Sequence, residues 1–173
     1  MENRGINDAI FWVDKNIIVH NMAPEESITI DLVNSTLYMR NNLIYNNSAG
    51  QIMKLGGSRN ITKQPQICLG NIFWLNRPSQ HDIKQVIRVM ARELRFHENL
   101  VNNPSADVEI VSPDVPVDSY SLNCTNNWWG SGIESVALSR ILDGSTVEGL
   151  AFLDVLPIQT QPSTDVSISG TLH

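Results

Sequence analysis

The stretch LYMRNNLIYNN, residues 37–47, decides the fold because its pattern recurs along the chain. Two apolar residues two positions apart are followed by an asparagine, an apolar pair and a second asparagine. Similar segments occur at residues 11–21, 67–76 and 94–103, and a partial copy lies at residues 122–129. The copies begin at residues 11, 37, 67, 94 and 122, so their spacings are 26, 30, 27 and 28. This is a repeat with small insertions.

Runs with β-strand character lie between these copies, at residues 28–32, 51–55 and 107–111. Their alternating Ile, Val and Thr residues are typical of strands. One repeat cannot bury its apolar face alone, whereas stacked repeats share a continuous core. We therefore expect an all-β fold, a parallel β-helix (solenoid) of about five coils, with successive coils ~4.8 Å apart.

Asparagine is the residue that the predicted turns share. It tolerates the left-handed backbone conformation, and its amide can bond neighbouring backbone groups. Stacked coils would align one asparagine per coil, so that the amides bond along the stack. The alternative is that asparagine only marks unrelated turns, but its recurrence in one frame favours a ladder. The predicted ladder consists of Asn16, Asn42, Asn71, Asn99 and Asn127.

Residues 82–94 are compatible with two structures. Their apolar residues recur at helical spacing, which taken alone indicates a helix. The repeat instead requires strands at residues 86–89 and from Leu94 onward. We expect strands here, with a one-coil helical insertion as the alternative.

Composition and charge restrict the classes of protein. With 173 residues, 42% of them apolar, the chain can bury the core of one domain. The net charge of −6 argues against binding to nucleic acid, which favours a basic face. No apolar run approaches the ~18 residues of a membrane span, and the N-terminal residues show no signal-peptide pattern.

Four glycosylation sequons favour an extracellular location, although some arise by chance in a chain rich in Asn, Ser and Thr. The candidate sites are Asn34, Asn46, Asn60 and Asn123.

The pattern changes after Gly130. Residues 131–134, SGIE, form a capping-box pattern that predicts a short helix ending at Gly144. A β-like run follows at residues 147–156. A solenoid needs a terminal element over its last coil, so we assign coils to residues 1–130 and a capping helix and strand to residues 131–157. Residues 158–173 are polar and are predicted to be a flexible tail.

The closing region resembles that of a known superfamily. NNWWG at residues 126–130 precedes SRILD at residues 139–143, VEGLAF at residues 147–152 and Leu156-Pro157. This series is similar to the end of right-handed parallel β-helix domains of the pectin-lyase-like superfamily, in which Asn-x-Trp-Gly precedes a helix and a strand leading to a proline. The resemblance implies that fold for essentially the whole chain.

In this frame the cap contains Trp128, Trp129 and Gly130. The two tryptophans take the positions that Leu43 and Ile44 hold in an earlier coil. We expect one of them to point into the last coil and the other to pack under the capping helix. A sugar-stacking platform is the alternative.

Asparagine-rich coils of this kind also resemble those of large animal cell-surface proteins, the bark beetle (Anakonda) family of tricellular junctions. That resemblance implies a role in epithelial adhesion or barrier formation. Its partners would be other cell-surface or matrix proteins, or glycans. The chain would then be a fragment of a longer protein.

Outward-facing residues of one sheet provide a candidate ligand strip. The repeat predicts one column of Trp12, Tyr38, Cys68, Arg95 and Asn123, and a second of Asp14, Arg40, Gly70, His97 and Thr125. The candidate strip consists of Trp12, Asp14, Tyr38, Arg40 and His97. A solvated charged face is the alternative.

We assign no catalytic residue, metal or cofactor. A glycosidase needs two carboxylates ~5–10 Å apart, and the nearest candidates, Asp14 and Glu98, would lie three coils or ~14 Å apart. The histidines show no metal-ligand spacing. The predicted register turns Cys68 outward and Cys124 inward, ~9–10 Å apart by the coil spacing, so we expect two free thiols.

Two functions therefore remain from the sequence. The first is a non-enzymatic extracellular scaffold or adhesion module. The alternative is a β-helix that binds or cleaves carbohydrate, for which analogy of fold is a weak argument.

Overall fold

A computed structural model describes residues 9–27, 30–31, 35–57, 61–79, 83–114 and 120–162. Within these ranges the chain is a parallel β-solenoid of about four turns with one short helix. The predicted all-β solenoid is confirmed, with about four turns instead of five. Asn34, Asn60 and residues 163–173 of the predicted tail lie outside the described residues.

Parallel strands from successive turns pair to form sheets along the solenoid. The first sheet contains β1 (Ala9–Asp14), β5 (Ser35–Arg40), β9 (Gln66–Leu69), β13 (Glu93–His97) and β16 (Ser121–Asn123). The second contains β2 (Ile17–Val19), β6 (Leu43–Tyr45), β10 (Ile72–Trp74) and β14 (Leu100–Asn102). The third contains β3 (Met22–Ser27), β7 (Ser48–Gln51) and β11 (Arg77–Pro78). The fourth contains β4 (Ile30–Asp31), β8 (Met53–Gly56), β12 (Gln85–Met90), β15 (Val108–Val111) and β17 (Ile141–Leu142).

The core runs along the axis, because each strand turns alternate side chains inward. In β5, Leu37 and Met39 are buried whereas Tyr38 and Arg40 are partly exposed. The second sheet adds Ile44, Phe73 and Val101 in one inward column. The fourth sheet adds Ile87 and Ile110. One turn supplies too little apolar surface for a core, so the turns depend on their neighbours.

Residues 83–94 contain strands, as predicted, and no helix. β12 pairs with β8 on one side and β15 on the other. Its residues Val86, Ile87 and Val89 are buried. The neighbouring strands supply hydrogen-bond partners on both edges, and this tertiary context outweighs the helical spacing of the sequence.

The predicted register is wrong by one residue in the third turn. Tyr38 pairs with Ile67 instead of Cys68, and Arg40 pairs with Leu69 instead of Gly70. Gln66 takes the inward position of Leu37, is buried, and donates from its Nε2 to the Ser35 carbonyl at 3.0 Å. A polar residue at an inward position hid the start of this strand.

Cys68 is consequently buried and not outward-facing as predicted. It pairs with Met39 and Phe96 in an inward column. Cys124, which follows Asn123 opposite Arg95, is also buried. Both cysteines are free.

The closing region differs from the prediction in detail. Helix α1 (Glu134–Leu138) has Ile133 at its N-cap and no side-chain cap bond, so the predicted capping box does not form. Ser131 Oγ instead accepts a bond from the Ile133 N–H. Residues 147–156 do not form a continuous strand, but make isolated bridges at Leu150 and Asp154.

Asp143 organises the segment that follows α1. Its Oδ1 accepts a bond from the Ser145 N–H at 3.0 Å, and its Oδ2 accepts one from the Leu153 N–H at 2.9 Å. Beyond this segment, Ile158 packs against the core and the Gln159 N–H donates to the Asn127 carbonyl at 2.9 Å. The described start of the predicted tail thus lies on the last turn.

The two adjacent tryptophans point in opposite directions. Trp128 pairs with Leu100, so the two rings do continue the columns of Leu43 and Ile44. Trp129 is buried and stacks on Phe96 at 5.8 Å between ring centroids. Trp128 stacks on Trp74 at 6.0 Å, on the outside of the second sheet. One tryptophan, Trp129, does point into the last turn, but the other, Trp128, stacks outside the second sheet instead of packing under the helix as predicted. A strand residue next to an inward one points outward.

Candidate functional site

The structure places the five asparagines of the predicted ladder in one hydrogen-bonded series along the first corner of the solenoid. The Oδ1 atom of each following asparagine accepts bonds from the backbone N–H and the Nδ2–H of the preceding one. At Asn71 these bonds measure 3.0 and 2.9 Å, and at Asn99 they measure 2.9 and 3.0 Å. Asn42, Asn71, Asn99 and Asn127 are buried, whereas Asn16 is exposed.

The second proton on each Nδ2 ties the ladder to the strand of the preceding turn. Asn42 donates to the Val13 carbonyl at 2.8 Å, and Asn71 donates to the Met39 carbonyl at 2.9 Å. Asn99 donates to the Cys68 carbonyl at 3.0 Å. Every amide group inside the stack is therefore satisfied by the turns on either side, as a buried polar group requires.

A second ladder, which the sequence reasoning did not assign, follows the next corner. It consists of Asn21, Asn47, Asn76 and Asn103, with the same pair of bonds at each step. The second asparagine of each repeat was the signal for it, because its spacing matches that of the first.

The left-handed conformation lies on the residue before every ladder asparagine except Asn103, not on the ladder asparagine itself as the sequence argument assumed. Positive φ angles occur at Lys15, His20, Asn41, Asn46, Gly70, Leu75, Glu98 and Asn126. The ladder asparagines are thus selected by their amide bonds. The residues before them need only adopt the left-handed turn, which several residue types can do, at an energetic cost for those with a Cβ.

Glu109 terminates the second ladder. In the fourth turn the residue before Asn103 is not left-handed. The hydrogen-bond acceptor below Asn103 is the Glu109 carboxylate, which accepts from the Asn103 N–H and Nδ2–H at 2.8 Å each. Arg140 donates to Glu109 Oε1 at 2.7 Å and to the Asn103 carbonyl at 2.9 Å. Burial raises the pKa of Glu109, and the bonds from Asn103 and the charge of Arg140 oppose that rise.

Four residues of the predicted ligand strip lie together at the outer face of the first sheet. Trp12 and Tyr38 stack at 4.2 Å between ring centroids with 10° between their planes. The Arg40 Cζ atom lies 5.6 Å from the Trp12 centroid and 5.5 Å from that of Tyr38. Asp14 lies opposite Arg40 on the adjacent strand. We call Trp12, Tyr38 and Arg40 the aromatic cluster.

His97 is separated from the aromatic cluster. Leu69 lies between it and Arg40 in the sheet. Its Nδ1 atom instead lies 3.2 Å from Thr125 Oγ1 and 3.3 Å from the Thr125 carbonyl oxygen. The predicted strip is therefore interrupted by an apolar residue, which the shifted register of the third turn explains.

Two of the four candidate glycosylation sites are described. Asn46 has a φ of 49°, is half-buried, and its Nδ2 lies 3.1 Å from His20 Nδ1. Asn123 lies at the end of β16, is half-buried, and its Oδ1 accepts the Thr125 N–H at 3.1 Å.

Within the described ranges, no group of three or more His, Cys, Asp or Glu side chains could hold a metal ion. No helix found among the described residues has the length and apolar character to cross a membrane. No family model, curated protein or solved structure matches this chain.

Proposed function

We propose that this chain is a non-enzymatic scaffold module, a right-handed β-helix of the pectin-lyase-like kind that spaces or docks cell-surface or matrix proteins. The observation that carries the proposal is the pair of buried amide ladders inside one continuous core. Each turn is fixed to its neighbours by strand pairing and by ladder bonds in a low-dielectric interior, where such bonds reinforce one another. The result is a stiff rod that holds whatever it carries at a set distance.

An extracellular or cell-surface location is part of this proposal. The four sequons support it, as does the resemblance of the asparagine-rich coils to those of animal surface proteins.

The exposed apolar residues at both ends of the solenoid support the docking part of the proposal. Ile10 and Met22 are 59% and 83% exposed in the first turn, and Phe152 is 56% exposed in the closing region.

Secretion from animal cells tests the scaffold proposal. The chain is expressed behind a heterologous signal peptide, and its glycans are mapped by mass spectrometry. We expect glycans on at least one of Asn34, Asn46, Asn60 and Asn123, in a protein that remains folded. Replacing all four by Gln provides the unglycosylated control. A folded, secreted protein in which all four sites are unmodified would contradict the extracellular part of the proposal.

Carbohydrate binding is a second candidate, favoured by the aromatic cluster. Trp12 is 63% exposed, and its ring already stacks on Tyr38 with Arg40 nearby. An aromatic face beside a guanidinium suits an acidic sugar, since the ring contacts the sugar C–H groups and the cation pairs with the carboxylate.

A screen of neutral and uronate-containing oligosaccharides with calcium present separates the two candidates. Carbohydrate binding predicts that an acidic glycan changes the tryptophan fluorescence and that Trp12→Ala abolishes the change. Trp128→Ala is the matched control, because it removes another outward stacked tryptophan on a different sheet. Unsaturated products would indicate a lyase. A response that survives Trp12→Ala would exclude the aromatic cluster as the binding site.

A further inference from the structure

The first turn, residues 9–23, exposes side chains that the second turn buries at the same register. Phe11 is 43% exposed, whereas its partner Leu37 is fully buried. Ile17 is 63% exposed, whereas its partner Leu43 is 5% exposed. Among the described strands, β1, β2 and β3 are each the outer strand of their sheet. This end of the solenoid, which we call the open face, therefore combines exposed apolar side chains with strand edges that no other described strand pairs.

The amide ladders give the open face a direction. Inside the solenoid each ladder Oδ1 accepts two N–H groups from the preceding turn. At Asn16 and Asn21, no described residue donates to Oδ1. The Asn16 Nδ2 also turns back to the Asp14 carbonyl of its own turn at 3.1 Å, where the asparagines of later turns bond to a carbonyl of the preceding turn. The open face thus presents two acceptors at defined corners.

The opposite end of both ladders is closed by this chain. Asn103 donates to the buried Glu109 carboxylate. The Asn127 Nδ2 donates to the Phe96 and Cys124 carbonyls at 2.6 Å each, and the Asn127 carbonyl accepts from Gln159. Head-to-tail stacking of two copies would need free donors at this end. A two-fold contact between two open faces would oppose acceptor to acceptor.

We propose that the open face docks one further β-solenoid turn that carries asparagine at both corners and donates backbone and side-chain N–H groups to Asn16 and Asn21. Residues 1–8 are too few for such a turn, since Asn16 and Asn42 are 26 residues apart. The docking turn is therefore assigned to a partner polypeptide. This deepens the proposed scaffold function by naming the chemistry of its partner, and its biological role rests on that proposal.

An appended turn tests the docking chemistry directly. A second copy of residues 9–34 is placed immediately before residue 9 of the full chain, which reproduces the 26-residue interval between ladder asparagines. We expect amide exchange in the original β1 and β2 to slow by about tenfold or more, because their edges become paired. The unmodified chain is the reference.

The matched control carries Asn16→Asp and Asn21→Asp in the appended copy only. These substitutions keep the shape and the apolar cover, but they replace each Nδ2 donor by an oxygen that faces the acceptor below. We expect most of the added protection to be lost. Equal protection in both extended proteins would overturn the proposed role of the ladder acceptors, and no protection in either would overturn docking at this face.

A second copy of the chain is the competing occupant. Sedimentation velocity over a range of concentrations is expected to show a monomer for the unmodified protein. A dimer that Ile17→Lys abolishes would assign the open face to self-association and would overturn the proposal. Neither measurement depends on secretion or glycans, so the scaffold proposal stands or fails separately.

Discussion

A ladder asparagine inside the stack uses its whole amide group. Asn99 accepts from the Asn71 N–H and Nδ2–H, and its own nitrogens donate to Asn127 Oδ1 and to the Cys68 carbonyl. Each such bond contributes only ~1 kcal/mol net, but leaving a buried partner unsatisfied costs about 1–3 kcal/mol. The cost of losing one asparagine therefore depends on how many of its partners stay buried.

Asn99→Ala should therefore destabilise the protein far more than Asn16→Ala. The first substitution leaves the buried Asn71 N–H without its partner and removes one bond each from Asn71 Nδ2, Asn127 Oδ1 and the Cys68 carbonyl. We therefore expect a loss of about 3–5 kcal/mol in the free energy of unfolding. The second acts at an exposed corner, where water replaces the lost bonds, and we expect about 1 kcal/mol or less. Urea unfolding of both variants checks this, and equal losses would contradict it.

Leu75 has a φ of 55°, which a side chain with a Cβ adopts at a cost of ~1–2 kcal/mol. It is 39% exposed, so little packing depends on it. We expect Leu75→Asn to be more stable than Leu75→Ala by about 0.5–1 kcal/mol, because asparagine tolerates this conformation and alanine does not. Thermal unfolding compares the two variants, both of which lack the leucine side chain. The reverse order would mean that the turn is not strained.

At this scale the sequence identifies the ladder positions but not the strained ones. The ladder residues recur as asparagine because one short carboxamide accepts two N–H groups through Oδ1 and donates two through Nδ2 along the stack. Four of the eight left-handed residues before them are Asn or Gly, but Lys15, His20, Leu75 and Glu98 adopt the same conformation without that chemistry. Because the stacked turns impose this conformation, these positions could not be identified from residue type alone.

Among the elements, the fourth turn shows how the solenoid ends one of its ladders. Asn99 and Asn103 are four residues apart, whereas Asn42 and Asn47 are five apart. The shortened corner brings Glu109, on β15, under Asn103, and Arg140 from the residues after α1 neutralises it. A carboxylate accepts both N–H groups without needing an acceptor of its own, so it ends the series where an asparagine would continue it.

The pH dependence of stability should report this terminator. Burial raises the pKa of Glu109 above its ordinary value of 4.5, so this group releases its proton at a higher pH in the folded state than in the unfolded chain. The contribution of Glu109 to stability is therefore greatest below that ordinary value and decreases as the pH rises through the raised pKa. We expect the free energy of unfolding of the wild type, relative to Glu109→Gln, to fall as the pH increases from about 4 through the raised pKa of Glu109.

Arg140→Met should make this decrease larger and extend it to higher pH, because the guanidinium opposes the rise in the pKa of Glu109. Denaturant unfolding of the three proteins over a pH series measures the difference. A wild-type stability that increases with pH relative to Glu109→Gln would mean that the charged carboxylate is the favoured form.

The elements were predictable where the apolar pattern was intact. Residues 86–89 carry β-branched side chains in the frame of the repeat, so the strand could be preferred to a helix. The third turn was misplaced because Gln66 fills an inward position, and a buried glutamine satisfied by the Ser35 carbonyl looks like a surface residue in sequence. The aromatic cluster could be predicted from the sequence because the inward positions that flank it in the first two turns are apolar.

For the molecule as a whole, the two ends differ in their support. The first turn has a neighbour on one side only among the described residues, whereas the last turn is covered by α1 and residues 150–160. In a solenoid the stability of a turn is the sum of its own folding and its contacts with adjacent turns. Opening should therefore begin at the first turn and reach the covered end only on global unfolding.

Thiol labelling can measure this order along the axis. Burial raises the pKa of Cys68 to about 12, and it also raises that of Cys124, so neither thiol forms much thiolate in the folded chain. Ile18→Cys places a third thiol at the inward position of the first turn, in register with buried Ile44. Labelling at pH 8 should then be fast at residue 18 and slow at residues 68 and 124.

The urea dependence separates local from global opening. The rate at residue 18 should change little with urea, because fraying of one turn exposes little surface. The rates at Cys68 and Cys124 should rise steeply and together, since both lie in one inward column that opens only when the stacked turns separate. If residue 18 labels as slowly as Cys68, the open face is covered in solution. A covered face in the isolated chain would leave self-association as the remaining explanation.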